Sequence, residues 1–143
     1  MKRPIQKFKV LMLLLVSATL LSSCSSDDDA PSRMDLLAHK WYFAVQEDLS
    51  TTPSIVTIAN TCQQNSYYNF LSDGNLYIEF FQFSEDNCIS VVEMSFTYEL
   101  IGDGDQLLLR NNNSPESQIF NIEALTSTEM VFSQSTNKVY LRR

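Results

Sequence analysis

From Lys40 onward, apolar and polar residues alternate in short runs that predict β-strands. In the clearest run, Val91–Leu100 (VVEMSFTYEL), the even positions from Val92 to Leu100 are apolar, and the odd positions from Glu93 to Glu99 are polar. This two-residue period is that of a strand with one buried and one solvated face. Shorter versions occur at Trp41–Gln46, Tyr67–Leu71, Asn75–Phe83, Gln106–Arg110, Ser117–Ala124, Thr128–Ser133 and Lys138–Arg142. Ile55–Ala59 predicts either a ragged extra strand or a loop that crosses an open end.

Turn sequences separate these runs in a way that predicts successive hairpins. An Asp-Gly pair at Asp73-Gly74 joins YYNFL to LYIEFF, and Gly102–Asp105 (GDGD) joins YEL to LLL. The order predicts an all-β fold, an antiparallel up-and-down barrel of about eight strands, because closure removes exposed strand edges. A two-sheet sandwich is the alternative. The immunoglobulin type of sandwich has a tryptophan between two cysteines, whereas Trp41 precedes Cys62.

The strand phasing assigns one set of large side chains to the barrel interior. The set is Tyr68, Phe70, Met94, Phe96, Tyr98, Phe120, Ile122, Met130 and Phe132, with Val139 and Leu141 from the last strand. A barrel of this size is either filled by side chains or holds one small ligand. The many aromatic residues favour a filled interior, with a hollow one as the alternative. Asn75–Phe83 is apolar on both faces, so Tyr77, Phe81 and Phe83 are either covered from outside or form an interaction patch.

The pattern before residue 34 is different and predicts a secretory signal. Residues 1–9 carry four basic residues and no acid, and the uncharged apolar run Val10–Leu21 follows. This run is shorter than the about 20 residues that a membrane-spanning helix needs. We expect residues 1–23 to be a signal peptide, 24–33 an acidic tether and 34–143 the folded domain. A short helical turn is expected at Met34–Ala38, with Ser32 or Asp35 near its start.

Leu21-Ser22-Ser23-Cys24 resembles the lipobox of bacterial lipoproteins. The resemblance implies that the Cys24 sulfur receives a diacylglyceryl group, that the signal is cut before Cys24, and that the new amine is acylated, with palmitate as an expected acyl group. Several acyl chains would explain stable attachment, since a single chain holds a protein only marginally. The following Ser25–Asp29 (SSDDD) resembles export signals that direct such lipoproteins to the cell surface; a plain flexible tether is the alternative.

Charge and cysteine content narrow the classes of partner. The chain has 17 acidic and 10 basic residues, and four of the basic ones belong to the signal. An acidic chain without a basic cluster argues against nucleic acid and against electrostatic binding to anionic lipid. With Cys24 acylated, Cys62 and Cys88 form an even pair in an oxidising compartment, which predicts a disulfide. A redox or metal pair is the alternative, but no C-x-x-C spacing occurs and His39 is the only histidine.

We find no constellation that predicts an enzyme, a metal site or a cofactor. The sequence lacks the nucleophile-elbow, zincin and phosphate-loop motifs. Glu79, Glu93 and Glu99 could face one another as acid–base groups, but alternation assigns them to a solvated sheet face. The GDGD segment lacks the downstream ligands of a calcium loop. The sequence therefore predicts a non-catalytic protein.

The overall pattern resembles the lipocalin-like lipoproteins of Bacteroidetes-type bacteria. The segments that carry the resemblance are DLLAHKWYFAVQ, YYNFLSDGNLYIE, FTYELIGDGDQLLL, FNIEALTSTEMVF and VYLRR. The resemblance implies a small antiparallel barrel. It also implies that Trp41 matches the tryptophan of the G-x-W motif, with His39 in place of the glycine. That tryptophan packs at the closed end under an arginine, here Arg142 with Arg143 as the alternative.

Two functions are compatible with these observations. The first is a binding module that takes a small hydrophobic molecule. It is expected to be anchored by lipid to the outer membrane, with the cell surface favoured over the periplasmic face. The second is a non-catalytic accessory subunit of a cell-envelope complex, which binds an envelope protein through the exposed aromatic face of Asn75–Phe83.

Overall fold

The computed structural model describes residues 30–143. The predicted signal peptide, the lipidated Cys24 and the tether before Ala30 lie outside the described residues. The described part contains helix α1 (Arg33–Leu37) and nine strands: β1 (Lys40–Asp48), β2 (Ile55–Ile58), β3 (Tyr67–Phe70), β4 (Asn75–Ser84), β5 (Asn87–Ile101), β6 (Gln106–Asn111), β7 (Ser117–Leu125), β8 (Glu129–Gln134) and β9 (Asn137–Arg142). None of its helices is long and apolar enough to cross a membrane.

Eight strands form a closed antiparallel barrel, as the sequence predicts. The order around the barrel is β1-β3-β4-β5-β6-β7-β8-β9, and β9 pairs back onto β1. From β3 to β9, sequential neighbours pair because each turn is short enough for a hairpin; at Gly74, for example, φ is +85°, a value that glycine adopts without strain. The up-and-down barrel is therefore confirmed and the sandwich alternative is wrong. The uncertain segment Ile55–Ala59 forms β2.

Strand β2 lies beside β3 on the same edge of β1. Lys40–Tyr42 pairs with β3, whereas Val45–Asp48 pairs with β2. The change of partner coincides with a bulge at Ala44, where the pairing of β1 with β9 also shifts. The connection between β2 and β3 crosses the wall here and includes a 3₁₀ turn at Gln63–Asn65. The wall of the barrel is thus made by β3 at one end and by β2 with this connection at the other.

Strands β4 and β5 extend beyond the ring as a two-stranded ribbon. Residues 87–95 of β5 pair only with β4, because pairing with β6 begins at Phe96. The ribbon is longer than predicted: β5 begins at Asn87 instead of Val91. Glu85 and Asp86 both have positive φ, 48° and 64°, and form the tight turn. The sequence at this turn contains no glycine, so the usual hairpin signal is missing.

The predicted disulfide connects this ribbon to the body of the barrel. Cys62, beside the 3₁₀ turn, is bonded to Cys88 near the ribbon tip, with a Cα–Cα distance of 5.4 Å. The Ser66 hydroxyl oxygen accepts a hydrogen bond of 2.9 Å from the Phe81 amide at the same crossing. Isolated two-stranded ribbons are marginally stable in water, so these bonds hold the ribbon in place. The disulfide prediction is confirmed.

Candidate functional site

One end of the barrel is closed by α1 and the tryptophan beneath it. Ser32 caps the helix, and its reciprocal bonds with Asp35 form a capping box, so the helix begins one residue before the expected Met34. Leu37 and Trp41 are both fully buried. The Trp41 indole N–H donates to the Leu37 carbonyl oxygen at 3.0 Å, which satisfies its buried donor. Trp41 is thus placed as a plug.

The arginine above this plug is Arg143 rather than the expected Arg142. The Arg143 guanidinium carbon lies 5.7 Å from the centroid of the Trp41 ring, within the range of a cation–π contact. Arg142 is the register partner of Tyr42 on β1 and of Glu129 on β8, and it is exposed. Because neighbouring residues of a strand point to opposite faces, Arg142 cannot reach Trp41 while Leu141 is buried in the core. The assignment of Arg142 is therefore corrected.

The interior near the closed end is filled by side chains. Leu76, Met130 and Leu141 have no exposed surface, and Phe70 and Leu107 are 1% exposed. Of the residues that the sequence assigns to the interior, ten belong to the core cluster or pack against it: Tyr68, Phe70, Phe96, Tyr98, Phe120, Ile122, Met130, Phe132, Val139 and Leu141. Several rings meet edge to face, such as Phe120 and Phe132 with centroids 5.4 Å apart. Packed side chains therefore occupy this half of the barrel.

Met94 departs from the expected interior set. It shares the inner face of β5 with Phe96 and lies opposite Ile78, but its side chain is 37% exposed. The reason is the short pairing of β6, which ends at Phe96 and leaves Met94 without a neighbour on that side. Alternation identifies the face of a residue but not the extent of the neighbouring strand, so Met94 is on the ribbon rather than in the core.

The opposite end of the barrel contains a cavity of about 420 Å³. Its wall combines inner residues of the ring with residues of the ribbon and of the β2–β3 connection. The lining residues are Phe43, Gln46, Gln63, Ser66, Tyr68, Phe80, Phe81, Gln82, Val91, Val92 and Val139. Val91 and Val92 remain 42% and 40% exposed, so an occupant could bury additional apolar surface. The volume lies in the range of sites for small molecules.

The polar residues of this cavity are the part that the sequence analysis missed. Gln46 is the register partner of Val139 and therefore shares the inner face with it. Gln82 follows Leu76, Ile78 and Phe80 at the same spacing on β4, so alternation could have identified it. Gln63 lies in the β2–β3 connection, whose path across the wall is not indicated by any pattern.

Tyr68 is an interior tyrosine whose hydroxyl group has no hydrogen-bond partner among the described residues of the barrel. It makes no side-chain hydrogen bond to another residue in 30–143, whereas every fully buried side-chain nitrogen or oxygen there has a partner. Tyr68 is also one of the residues that line the cavity. Burial raises the pKa of Tyr68 well above its usual value, so the hydroxyl stays protonated.

The acidic residues considered as acid–base groups lie on the outer face. Glu79 and Glu93 are register partners on β4 and β5. A hydrogen bond to Glu79 raises the pKa of Tyr67 to about 12, and the same bond lowers the pKa of Glu79. Glu99 is paired with Arg110 at 3.1 Å. Among residues 30–143, no group of three or more His, Cys, Asp and Glu residues could hold a metal ion.

Two further depressions have different linings. One of about 540 Å³ is lined by residues of β1 and β2 together with Arg142 and Arg143. The other, of about 600 Å³, includes Tyr67, Tyr77, Glu79 and Glu93. The predicted aromatic face of β4 is open to solvent in part, since Tyr77 is 47% and Phe83 50% exposed, whereas Phe81 is half-buried.

Comparison with known proteins agrees with the barrel and its topology. A crystal structure of a lipocalin-like protein from Bacteroides uniformis ATCC 8492 has a TM-score of 0.56 and 14% identity, and the match covers 76% of this chain and 98% of that one. An uncharacterized protein from Bacteroides eggerthii DSM 20697 gives 0.55 and 14%, with 74% and 98% covered. No curated protein matches the sequence. A family model described as a lipocalin-like domain matches residues 37–132, most of the described barrel. The chain therefore belongs to the lipocalin-like domain family.

Proposed function

We propose that this protein is a lipid-anchored, non-catalytic binding module of the cell envelope, which takes a small, mainly apolar molecule into the open end of its barrel. The cavity of about 420 Å³ is the observation that carries the proposal. The lipocalin-like barrel is a fold suited to a binding module, because its closed end is rigid and its open end can admit a ligand.

The physical driving force for such binding is the burial of apolar surface. The cavity floor is formed by Phe43, Phe80 and Val139, which lie in the core cluster or pack against it. Val91 and Val92 at the ribbon would be covered by the ligand, and each Å² of apolar surface removed from water contributes about 25 cal/mol. The disulfide beside the cavity holds the ribbon, so less ordering is required when the ligand binds.

The anchor and the location belong to the same proposal. The lipobox-like sequence at Cys24 supports attachment to the outer membrane, and the acidic segment after it supports exposure at the cell surface. A tethered barrel at that position would meet its ligand outside the cell or in the envelope.

A cavity-filling substitution tests the binding proposal. Val139→Phe places a ring into the cavity, and Val56→Phe on exposed β2 is the matched control, since Val56 is 56% exposed and does not line the cavity. We expect a fluorescent apolar probe such as naphthylphenylamine to bind Val139→Phe at least about tenfold more weakly than the native protein. The control should bind as the native protein does. Equal binding by all three proteins, with circular dichroism showing intact folds, would contradict the proposal.

An accessory role in an envelope complex is the second candidate. The ribbon favours it, because Phe83, Ile89 and Val91 are each at least 42% exposed. Cross-linked envelopes should yield a partner with the native protein and lose it with Phe83→Ser. Ile58→Ser, at a position that is 73% exposed on β2, is the control. If Phe83→Ser recovers the same proteins as the native chain, the ribbon is not a docking surface.

A further inference from the structure

The cavity at the open end is uncharged, although the chain as a whole is strongly acidic. Charged residues make up 19% of the sequence and give a formal charge of −7. None of the residues that line the cavity carries a charge. We infer that the ligand is an uncharged amphiphile whose head group, such as a hydroxyl, ketone or amide, is bound by glutamine side chains at the mouth. This inference rests on the proposed function and adds the chemical class of the ligand.

Three carboxamides surround the mouth, and they offer both donors and acceptors. Gln46 and Gln82 are exposed at the mouth and Gln63 is half-buried. The Gln46 amide nitrogen is 3.4 Å from the Asn137 amide oxygen, a long contact, and the Gln63 side-chain oxygen accepts from the Asn60 amide. The Gln82 side chain makes no hydrogen bond within residues 30–143, so its donors and its acceptor are available.

A carboxamide matches a neutral head group because it can donate and accept at once. A hydroxyl needs one acceptor and offers two lone pairs, and an amide group needs both types of partner. Tyr68 also lines the cavity, and its hydroxyl is a further polar group that a ligand could meet there. These partners repay the cost of removing a neutral polar group from water.

The same partners do not repay the cost of burying a charge. A carboxylate that leaves water needs a positive partner, and the lining contains no Lys, Arg or His. The negative charge of the chain also repels anions. An ammonium head is attracted by that charge at long range, but it finds no carboxylate in the cavity wall. Both kinds of ion are therefore disfavoured relative to a neutral head.

A series of ligands with the same tail separates this inference from the proposed function. Dodecanol and dodecanamide below their solubility limits, and dodecanoate and dodecylammonium below their micellar concentrations, are titrated against naphthylphenylamine bound to the full-length protein. We expect the alcohol and the amide to displace the probe at concentrations at least about tenfold lower than either ion. Equal or tighter binding of an ion would overturn the inference and leave the proposed function standing. If none of the four binds, the proposed function fails with it.

A charge introduced at the mouth provides the second arm. Gln82→Glu keeps the shape of the side chain and should improve dodecylammonium binding by about tenfold while weakening dodecanoate further. Gln118→Glu is the matched control, since Gln118 is exposed on β7 and does not line the cavity. An equal effect of both variants would show that only the overall charge matters, and it would overturn the role of Gln82.

Discussion

At the scale of single residues, the closed end shows how well the tryptophan motif at the first strand predicts the contacts of Trp41. Trp41 was assigned from its place at the start of the first strand, and its burial and its bond to Leu37 agree with a plug. The arginine above it differs by one residue from the expected one, because β9 ends at Arg142 and the following residue folds over the indole ring. A motif supplies the residue type, whereas the strand register decides which neighbour reaches the ring.

The assignment of Arg143 predicts different effects for the two arginines. Arg143→Ala removes the cation–π contact and should lower the free energy of unfolding by about 0.5–1 kcal/mol. Arg142→Ala removes an exposed side chain without an ion pair among the described residues, so a change below about 0.5 kcal/mol is expected. Urea denaturation followed by circular dichroism measures both. A larger loss for Arg142→Ala would return the packing role to that residue.

The hydrogen bonds of the Glu47 carboxylate are expected to make the stability of the fold depend on pH. Its carboxylate accepts hydrogen bonds from the Ser54 hydroxyl at 2.6 Å and from the Tyr140 hydroxyl at 3.0 Å. These bonds, first that of Ser54, lower the pKa of Glu47 in the folded protein. A carboxyl group with a lowered pKa stabilises the fold above its unfolded pKa of about 4.3, and the contribution is lost as the pH falls through the folded pKa.

Replacement of Glu47 should therefore reduce the sensitivity to acid. The Tm of Glu47→Gln should fall less than that of the native protein between about pH 6 and about pH 3. Glu116→Gln is the control, because Glu116 is exposed and its carboxylate makes no hydrogen bond to a described residue. Parallel curves for the native protein and Glu47→Gln would show that the bonds of Glu47 do not influence acid stability.

At the scale of elements, alternation predicted the eight strands of the ring, and turn chemistry predicted their antiparallel order. The ends of strands are harder to predict from the sequence, as β5 shows: the residues NCIS (87–90) continue the strand although their alternation is weak. The pairing of β2 could not be predicted either. On the same edge of β1, residues before the bulge at Ala44 pair with β3 and residues after it pair with β2. These features depend on pairing between distant strands, which the local pattern does not contain.

The disulfide predicts a measurable loss when both cysteines are replaced. Cys62 and Cys88 are separated by 26 residues, and closing a loop of this length stabilises by about 3–4 kcal/mol on the chain-entropy model. Cys62→Ser with Cys88→Ser should lower the free energy of unfolding by that amount in urea denaturation. The native protein under reducing conditions should match the double variant. A loss under about 1 kcal/mol would indicate that the unfolded chain is already compact.

At the scale of the whole molecule, the two ends of the barrel differ in packing. The sequence favours a filled interior, with a hollow one as the alternative, and the fold combines both states. Side chains fill the end near Trp41, while a cavity of about 420 Å³ remains where the ribbon and the β2–β3 connection extend the wall. The aromatic residues that predicted filling lie mainly in the core cluster. Among the polar residues of the mouth, alternation identifies the face of Gln82 alone, because the bulge at Ala44 reverses the face of Gln46 and Gln63 lies in a connection without a repeating pattern.

For the whole molecule, the proposed lipid anchor predicts separate outcomes for replacement of its cysteines. Cys24→Ala removes the sulfur to which the proposed lipid is attached, so the protein should leave the membrane fraction, since residues 24–143 contain no basic cluster to bind anionic lipid. The double variant Cys62→Ser with Cys88→Ser keeps Cys24 and should remain with the membranes despite its lower stability. Fractionation with antibody detection measures both variants. A Cys24→Ala protein that still pellets with the outer membrane would refute the anchor. Loss of the double variant from the membranes would show instead that attachment depends on the folded barrel.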